Sequence, residues 1–435
     1  MKLNKKLTVL IGFAFLSISA FWQMYDNLVP LILTKTFHVN ETFSGIIMAA
    51  DNILALFLLP LFGGISDKCN SRLGKRKPFI LVGTIIAVVL MTFIPIIDNS
   101  YFAAPSPYKL LAFIVLLGLL LIAMGTYRSP AVALMPDVTP KPLRSKGNAI
   151  INLMGAVGGI IYLLATTFLY SKSRTEGLAH VNYQTIFAIV SGIMLFALFI
   201  LMVFINEPKL RDKQAEYERE HPEDDILEIT EEGNKKVMPK AVKKSLIFLL
   251  LSVAFWFIGY NAISTWFTTY ATTMWGMALG DASLCLTIAT AGAIVSYIPV
   301  GSIASKVGRK NTILFGAGLL AACFFVAFIY TLAFNTFHWA LYILFILVGV
   351  AWASINVNSL PMVVEMCSSS DVGKFTGFYY TFSMAAQTIT PILAGALIGN
   401  ISYKLLFIYS AIFVTFSFIT MCFVKHGDSK LKQVS

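Results

Sequence analysis

The sequence predicts an all-α polytopic membrane protein, with twelve transmembrane helices in two pseudo-symmetric six-helix bundles. Three observations predict it. Of 435 residues, 57% are hydrophobic and only 13% charged, about half the charged share of a soluble domain. Apolar runs longer than about 18 residues, each long enough to cross a bilayer, recur from end to end. The basic residues gather in alternate gaps between these runs, as they do in cytoplasmic loops.

The spans fall at 7–36, 42–65, 78–97, 108–136, 143–171, 183–205, 244–274, 281–304, 311–334, 338–366, 371–399 and 403–424. Several exceed one membrane thickness and should tilt, kink or protrude. Kinks are expected near Pro30, Pro60, Pro130, Pro299, Pro361 and Pro391. The start, "MKLNKKLTVLIGFAFL", has the charged head and apolar body of a signal peptide. No small-residue cleavage site follows closely, so it reads as a retained first span.

With the N-terminus inside, the inner segments hold 27 of the 33 basic residues. The outer ends hold Lys35, Lys109, Lys172, Arg174 and Lys404, and the one left, Arg128, lies inside a span away from its ends. This fits an even number of spans, a multi-pass cell-membrane protein and two cytoplasmic termini. The net charge of +11 is thus a topology signal, and no nucleic-acid partner is expected. The partners expected are the lipid bilayer, a small solute and a proton, with the chain a monomer.

Between spans six and seven lies an acidic stretch, "YEREHPEDDILEITEE", without an apolar period. It reads as a partly disordered linker. The expected division is an N-terminal bundle over 1–205, a cytoplasmic linker over 206–243 and a C-terminal bundle over 244–435. The cysteines are Cys69, Cys285, Cys323, Cys367 and Cys422. Their spacing suggests neither a disulfide framework nor a metal cluster, and no cofactor is expected.

The halves resemble each other. "GGISDKCNSRLGKRK" after span two is matched by "GSIASKVGRK" after span eight. "PDVTPKPLRSKGNA" after span four is loosely matched by "VEMCSSSDVGKFTG" after span ten. Such repeats are the sequence mark of an alternating-access carrier.

The pattern Gly-x-x-x-Asp-(Arg/Lys)-x-Gly-Arg-(Arg/Lys) after span two resembles the loop motif of the major facilitator superfamily. Gly63, Asp67, Lys68, Gly74, Lys75, Arg76 and Lys77 match it, with four extra residues between Lys68 and Gly74. That longer form is similar to two branches, the glycoside–pentoside–hexuronide cation symporters and the sucrose-transporter-like proteins. "LFGGISDKCNSRLGKRKPFILVG" is closer to the second. The resemblance implies the major facilitator fold and secondary transport. Because the motif appears in both halves, Asp67, Lys68, Arg72, Lys75 and Arg76, with Arg144 after span four, read as parts of a gate. Arg309 belongs to the second copy, where Ser305 stands in the aspartate's place and weakens it. Asp137 and Glu365, at cytoplasmic span ends, read as gate or cap residues. A plain topology anchor is the alternative reading of the basic loop.

Ionisable residues within lipid are costly and tend to face a functional cavity. They are Asp26, Asp51 and Arg128. All five histidines fall in loops or at span ends, so a carried proton needs a carboxylate. Asp26 aligns with a position that is acidic in some animal sucrose-transporter-like proteins, and Asp51 is the second candidate. Trp22 lies one turn before Asp26, with Tyr25 beside it. Two departures from the melibiose-type carriers matter. Ala55 and Leu59 replace the acidic pair that holds sodium there, so no such site is expected. Arg128 replaces a sugar-binding acid, and reads either as a solute residue or as a structural partner of Asp26.

Other polar stripes share single helix faces. Asn152 lies on span five, Tyr260, Asn261 and Trp266 on span seven, Trp352 and Asn356 on span ten, and Tyr380 and Gln387 on span eleven. Aromatic plates with amides suit a sugar, which has apolar ring faces and hydroxyl edges. Small polar residues also join helices to each other, so packing is the competing reading. No metalloprotease His pair, nucleophile elbow or phosphate loop is present, and no enzyme is expected. The function expected is proton-coupled symport of a sugar or glycoside. The alternatives are a carrier or exporter of an amphiphile, such as a lysolipid or drug, and a non-transporting sensor.

Overall fold

The computed structural model describes residues 4–139, 144–220, 239–366 and 372–427. Among them the chain is all helix apart from one isolated bridge, Ser71 to Gly74. The first half forms α1 (Lys5–Lys35), α2 (Glu41–Lys68), α3 (Lys77–Ala103), α4 (Pro107–Asp137), α5 (Arg144–Leu169), the short α6 (Lys172–Thr175), α7 (Gln184–Phe204) and α8 (Glu207–Glu220). The second half forms α9 (Lys240–Met274), α10 (Leu279–Val307), α11 (Arg309–Ala333), α12 (Leu341–Val364), α13 (Val372–Asn400) and α14 (Leu405–Cys422). All but α6 and α8 are long and apolar enough to cross a membrane. α8 occupies the start of the expected linker, while its stretch over 221–238 lies outside the described residues.

The helices begin and end for local reasons. The Asn4 side chain caps α1 by accepting from the Leu7 N–H at 3.1 Å. Prolines sit in the first turns of α3 and α4, where their missing N–H costs nothing. α1, α2, α4, α10, α12 and α13 each continue through an internal proline, as does α3 through Pro95.

The chain forms two compact units. One holds 1–39 and 50–226, the other 40–49 and 227–435. In the first, α1 packs on α5 and α7, and α3 packs on α4 and α7. In the second, α9 packs on α13 and α14, and α11 on α12 and α14. The same spans of each six-helix set therefore meet. α1 and its counterpart α9 are the most buried spans of their sets, and α2 and α10 the least. Contact between α1 and α5 is close. A Cβ on Gly158 would stand 1.9 Å from the Leu16 carbonyl oxygen, so only glycine fits. In the second unit, the Tyr403 hydroxyl donates to Glu41 at 2.5 Å.

Candidate functional site

α1, α2 and α4 bring together one charged group inside the first unit. Arg128 on α4 stands over Trp22 on α1, its guanidinium carbon 5.3 Å from the ring centroid. That distance permits a cation–π contact. Asp26 and Asp51 both act electrostatically on Arg128, and Asp51 also acts on Asp26. The Tyr25 hydroxyl lies in the field of both carboxylates. Asp51 accepts from its neighbour Asn52 at 2.8 Å. The Trp22 ring N–H and the Tyr25 hydroxyl are buried without a hydrogen-bond partner among the described residues. One arginine thus lies in the field of two carboxylates. Such a set holds its surplus negative charge only with a proton or another cation. Asn152 is exposed on α5, one turn before Gly155, whose face lies along α1 at Ser19.

The second unit carries an aromatic group. Tyr260 on α9 stacks on Trp352 of α12, with centroids 3.8 Å apart and planes 8° from parallel. Phe257 meets the same indole edge-on at 5.5 Å. Asn356, one turn beyond Trp352, lies near the Tyr297 hydroxyl of α10. The buried Asn261 amide nitrogen has no partner among the described residues. Gln387 donates to the Ser383 carbonyl at 3.2 Å, and Tyr380 is exposed, edge-on to Tyr379. Trp266 departs from the expected solute role. It is fully buried, donates to the Pro391 carbonyl at 3.2 Å and fills the space beside Gly395. Its ring and its N–H are both spent on packing.

A third group joins the loop after α2 to the ends of α4 and α7. Arg76 is 6% exposed, and its guanidinium serves several partners at once. It donates to Asp137 at 2.7 Å, to Asp67 at 2.5 Å and to Ser66 at 2.5 Å. Burial pulls its pKa down, but the two carboxylates outweigh this and leave it raised. Next to it, the buried Glu207 carboxylate accepts the backbone N–H groups of Lys75 (2.7 Å), Arg76 (3.0 Å) and Lys77 (3.0 Å). These are the free donors at the start of α3. In return the Lys77 ammonium donates to the Met202 and Ile205 carbonyls at the end of α7, at 3.1 and 2.7 Å. Gly74 makes room: its φ is +110°, and a Cβ there would lie 2.4 Å from the Glu207 carboxylate.

The second copy repeats this wiring. Arg309 pairs with Glu365 at the end of α12, as Arg76 pairs with Asp137 at the end of α4. Lys310 donates to the Cys422 carbonyl at the end of α14, as Lys77 does at the end of α7. Ser305 replaces the Asp67 arm and donates only to its own helix, at the Ser302 carbonyl.

Of the loop residues singled out from sequence, Asp67, Arg76, Asp137, Arg309 and Glu365 are brought into ion pairs. Lys68 and Arg72 are exposed, and Lys75 contributes its backbone. The Arg144 side chain lies outside the described residues. Sequence reasoning missed Glu207, placed in the solvated linker although it directly follows an apolar span. It missed Asp98 by ending span three one residue early, and Tyr297 because nothing local marks it.

The family model described as Major Facilitator Superfamily matches residues 11–279 and 271–434. Sucrose transport protein SUC3 of Arabidopsis thaliana is 32% identical over 152 residues, 32% of this chain and 25% of that protein. Sucrose transport protein SUT3 of Oryza sativa subsp. japonica is 29% identical over 244 residues, 51% of this chain and 47% of that protein. The chain thus spans less than half the length of these relatives. Among solved structures, the inward open xylose transporter XylE from E. coli aligns with a TM-score of 0.70 at 15% identity, over 98% of this chain and 97% of that one. A POT family transporter in complex with 5-aminolevulinic acid aligns with a TM-score of 0.71 at 12% identity, over 96% of both chains.

Proposed function

The chain belongs to the Major Facilitator Superfamily, and from that premise we propose that it carries a sugar or glycoside together with protons by alternating access. The observation that carries this reading is the placement of Arg128 over Trp22, within the electrostatic field of two carboxylates. Asp26 takes the proton. Its protonation frees Arg128 for solute hydroxyls, and departure of the solute restores the pair and expels the proton. Asp51 holds the second negative charge and tunes the first. The Tyr260–Trp352 stack offers an apolar plate for a sugar ring, with Asn261 and Asn356 supplying amides. The sucrose relatives support a sugar as solute. Asp67, Arg76, Asp137, Arg309 and Glu365 act as the inner gate, and the protein resides in the cell membrane with both termini cytoplasmic.

The test is uptake into vesicles holding purified protein, with an inward proton gradient and a panel of labelled sugars. Wild type is expected to accumulate one sugar class against its gradient, without sodium. Asp26→Asn, a mimic of the protonated state, is expected to lose accumulation but keep exchange between equal pools. Arg128→Ala is expected to lose both. Accumulation by Asp26→Asn would move the proton to Asp51. A sodium requirement would overturn the proton assignment. Binding without uptake by wild type would favour a sensor, and uptake of lysolipids in place of sugars a carrier of amphiphiles.

A further inference from the structure

The end of α3 remote from Arg76 holds a buried carboxylate that the proposed transport chemistry does not use. The Asp98 side chain is 0% exposed. The Thr36 hydroxyl approaches it from the end of α1, but neither carboxyl oxygen accepts a well-formed hydrogen bond among the described residues. The titratable partner within reach is His180, in the loop between α6 and α7, with Nε2 3.5 Å from Asp98 Oδ2. The imidazole stacks on Phe102, 4.5 Å between centroids and 12° from parallel.

A chain of amides fixes where the histidine protons sit. The Gln184 backbone N–H donates to Asn182 Oδ1 at 2.9 Å, so that atom is an oxygen. Asn99 Nδ2 donates to the same oxygen at 3.1 Å, which leaves Asn99 Oδ1 as an acceptor. His180 Nε2 lies 2.9 Å from Asn99 Oδ1, so Nε2 carries a hydrogen in every protonation state. The proton that titrates is therefore on His180 Nδ1 or on Asp98. With it, the pair is neutral overall. Without it, a bare carboxylate remains buried, which costs several kcal/mol.

We propose that Asp98 and His180 form a proton-held clasp that fixes the loop over 176–183 on the end of α3 and releases it when the shared proton is lost. Release lets Asp98 reach water. His180 is already 15% exposed, so the loop edge need move little. Other ionisable groups surround the pair. Tyr183 enters at the start of α7 and Tyr170 at the end of α5. Burial pushes the Tyr170 phenol up to about 12 and holds Tyr183 well above its ordinary value. Lys172, Arg174 and Glu176 on the loop, and Lys35 and His38 beside Thr36, are exposed.

The sign of the pH effect follows from proton counting. Closed, the pair keeps one proton. Open, Asp98 and His180 return to ordinary values near 4 and 6.5. Between about pH 4 and 6.5 both states hold one proton, and the clasp does not respond. Above about 6.5 the open state holds fewer, so the closed-to-open ratio falls up to about tenfold per pH unit. The full-length protein in lipid nanodiscs is tested by hydrogen exchange, with rates corrected for intrinsic pH dependence. Amides 176–183 are expected to show constant protection from pH 5 to 6.5 and a fall above it that levels off once the closed pair also loses its proton. Asp98→Asn buries no charge and should hold the loop without the fall above pH 6.5. His180→Gln keeps the Asn99 contact but removes the imidazole, so only Asp98 titrates in the open state and its fall should begin below pH 6. Constant wild-type protection to pH 8.5, an unaltered fall in Asp98→Asn or a wild-type profile in His180→Gln would each overturn the clasp.

Discussion

Arg76 shows how far one side chain can be read before its neighbours are known. The motif marked it as one of five basic residues in a loop, with nothing to rank it above Arg72. Folding ranks them: Arg72 is exposed, whereas Arg76 is buried and holds two carboxylates. Those carboxylates are unequal, because Asp67 is 61% exposed and Asp137 27%. Water screens the Asp67 arm more strongly. Arg76→Gln should therefore cost roughly 3 kcal/mol, the penalty for stranding a partly buried ion pair. Asp137→Asn should cost less, and Asp67→Asn about 1 kcal/mol or below. Denaturation of the three purified variants checks that order. A larger loss from Asp67→Asn than from Asp137→Asn would show that exposure does not set the energetics. Trp266 teaches the opposite lesson. A helical stripe shows which residues share a face, but not whether that face meets solute or packing.

At the scale of an element, the first turn of α3 depends on a residue 130 positions away, since Glu207 accepts from the Lys77 N–H. The span itself was legible, as were Pro78 at its start and the glycine before it. The cap was not, because an acidic residue after an apolar span looks like any solvated linker residue until α7 is placed beside α3. The exchange is reciprocal: a carboxylate meets the positive end of α3, and the Lys77 ammonium meets the negative end of α7. Glu207→Gln keeps one acceptor oxygen but removes the charge. It should weaken the junction by about 1–2 kcal/mol. Hydrogen exchange at the amides of Lys75, Arg76 and Lys77 should then speed up by about five- to thirtyfold. Unchanged protection there would mean the carboxylate is not what holds the turn.

For the whole molecule, the signals legible in sequence were those that repeat. Span lengths, the loop motif and the uneven basic charge each recur, and the matched packing of α1, α3, α9 and α11 reproduces the repeat in space. Single contacts such as Asp98–His180 and Asn356–Tyr297 do not recur, so no pattern announced them. The charge asymmetry also makes a prediction about orientation that native cysteines can test. The segments with 27 basic residues should face the cytoplasm. Cys69 lies in the basic loop after α2, and Cys422 ends α14, exposed. Both fall on the basic side, whereas Cys285 and Cys323 are buried within spans. An impermeant maleimide added to right-side-out vesicles should leave Cys69 and Cys422 unlabelled until the membrane is opened. A cysteine placed at Ser173, between Lys172 and Arg174 in α6, should label without opening. Were Cys422 to label from outside while Ser173→Cys did not, the chain would run in the opposite sense. Asp98 and His180 would then meet the cytoplasm, and the clasp would respond to internal pH.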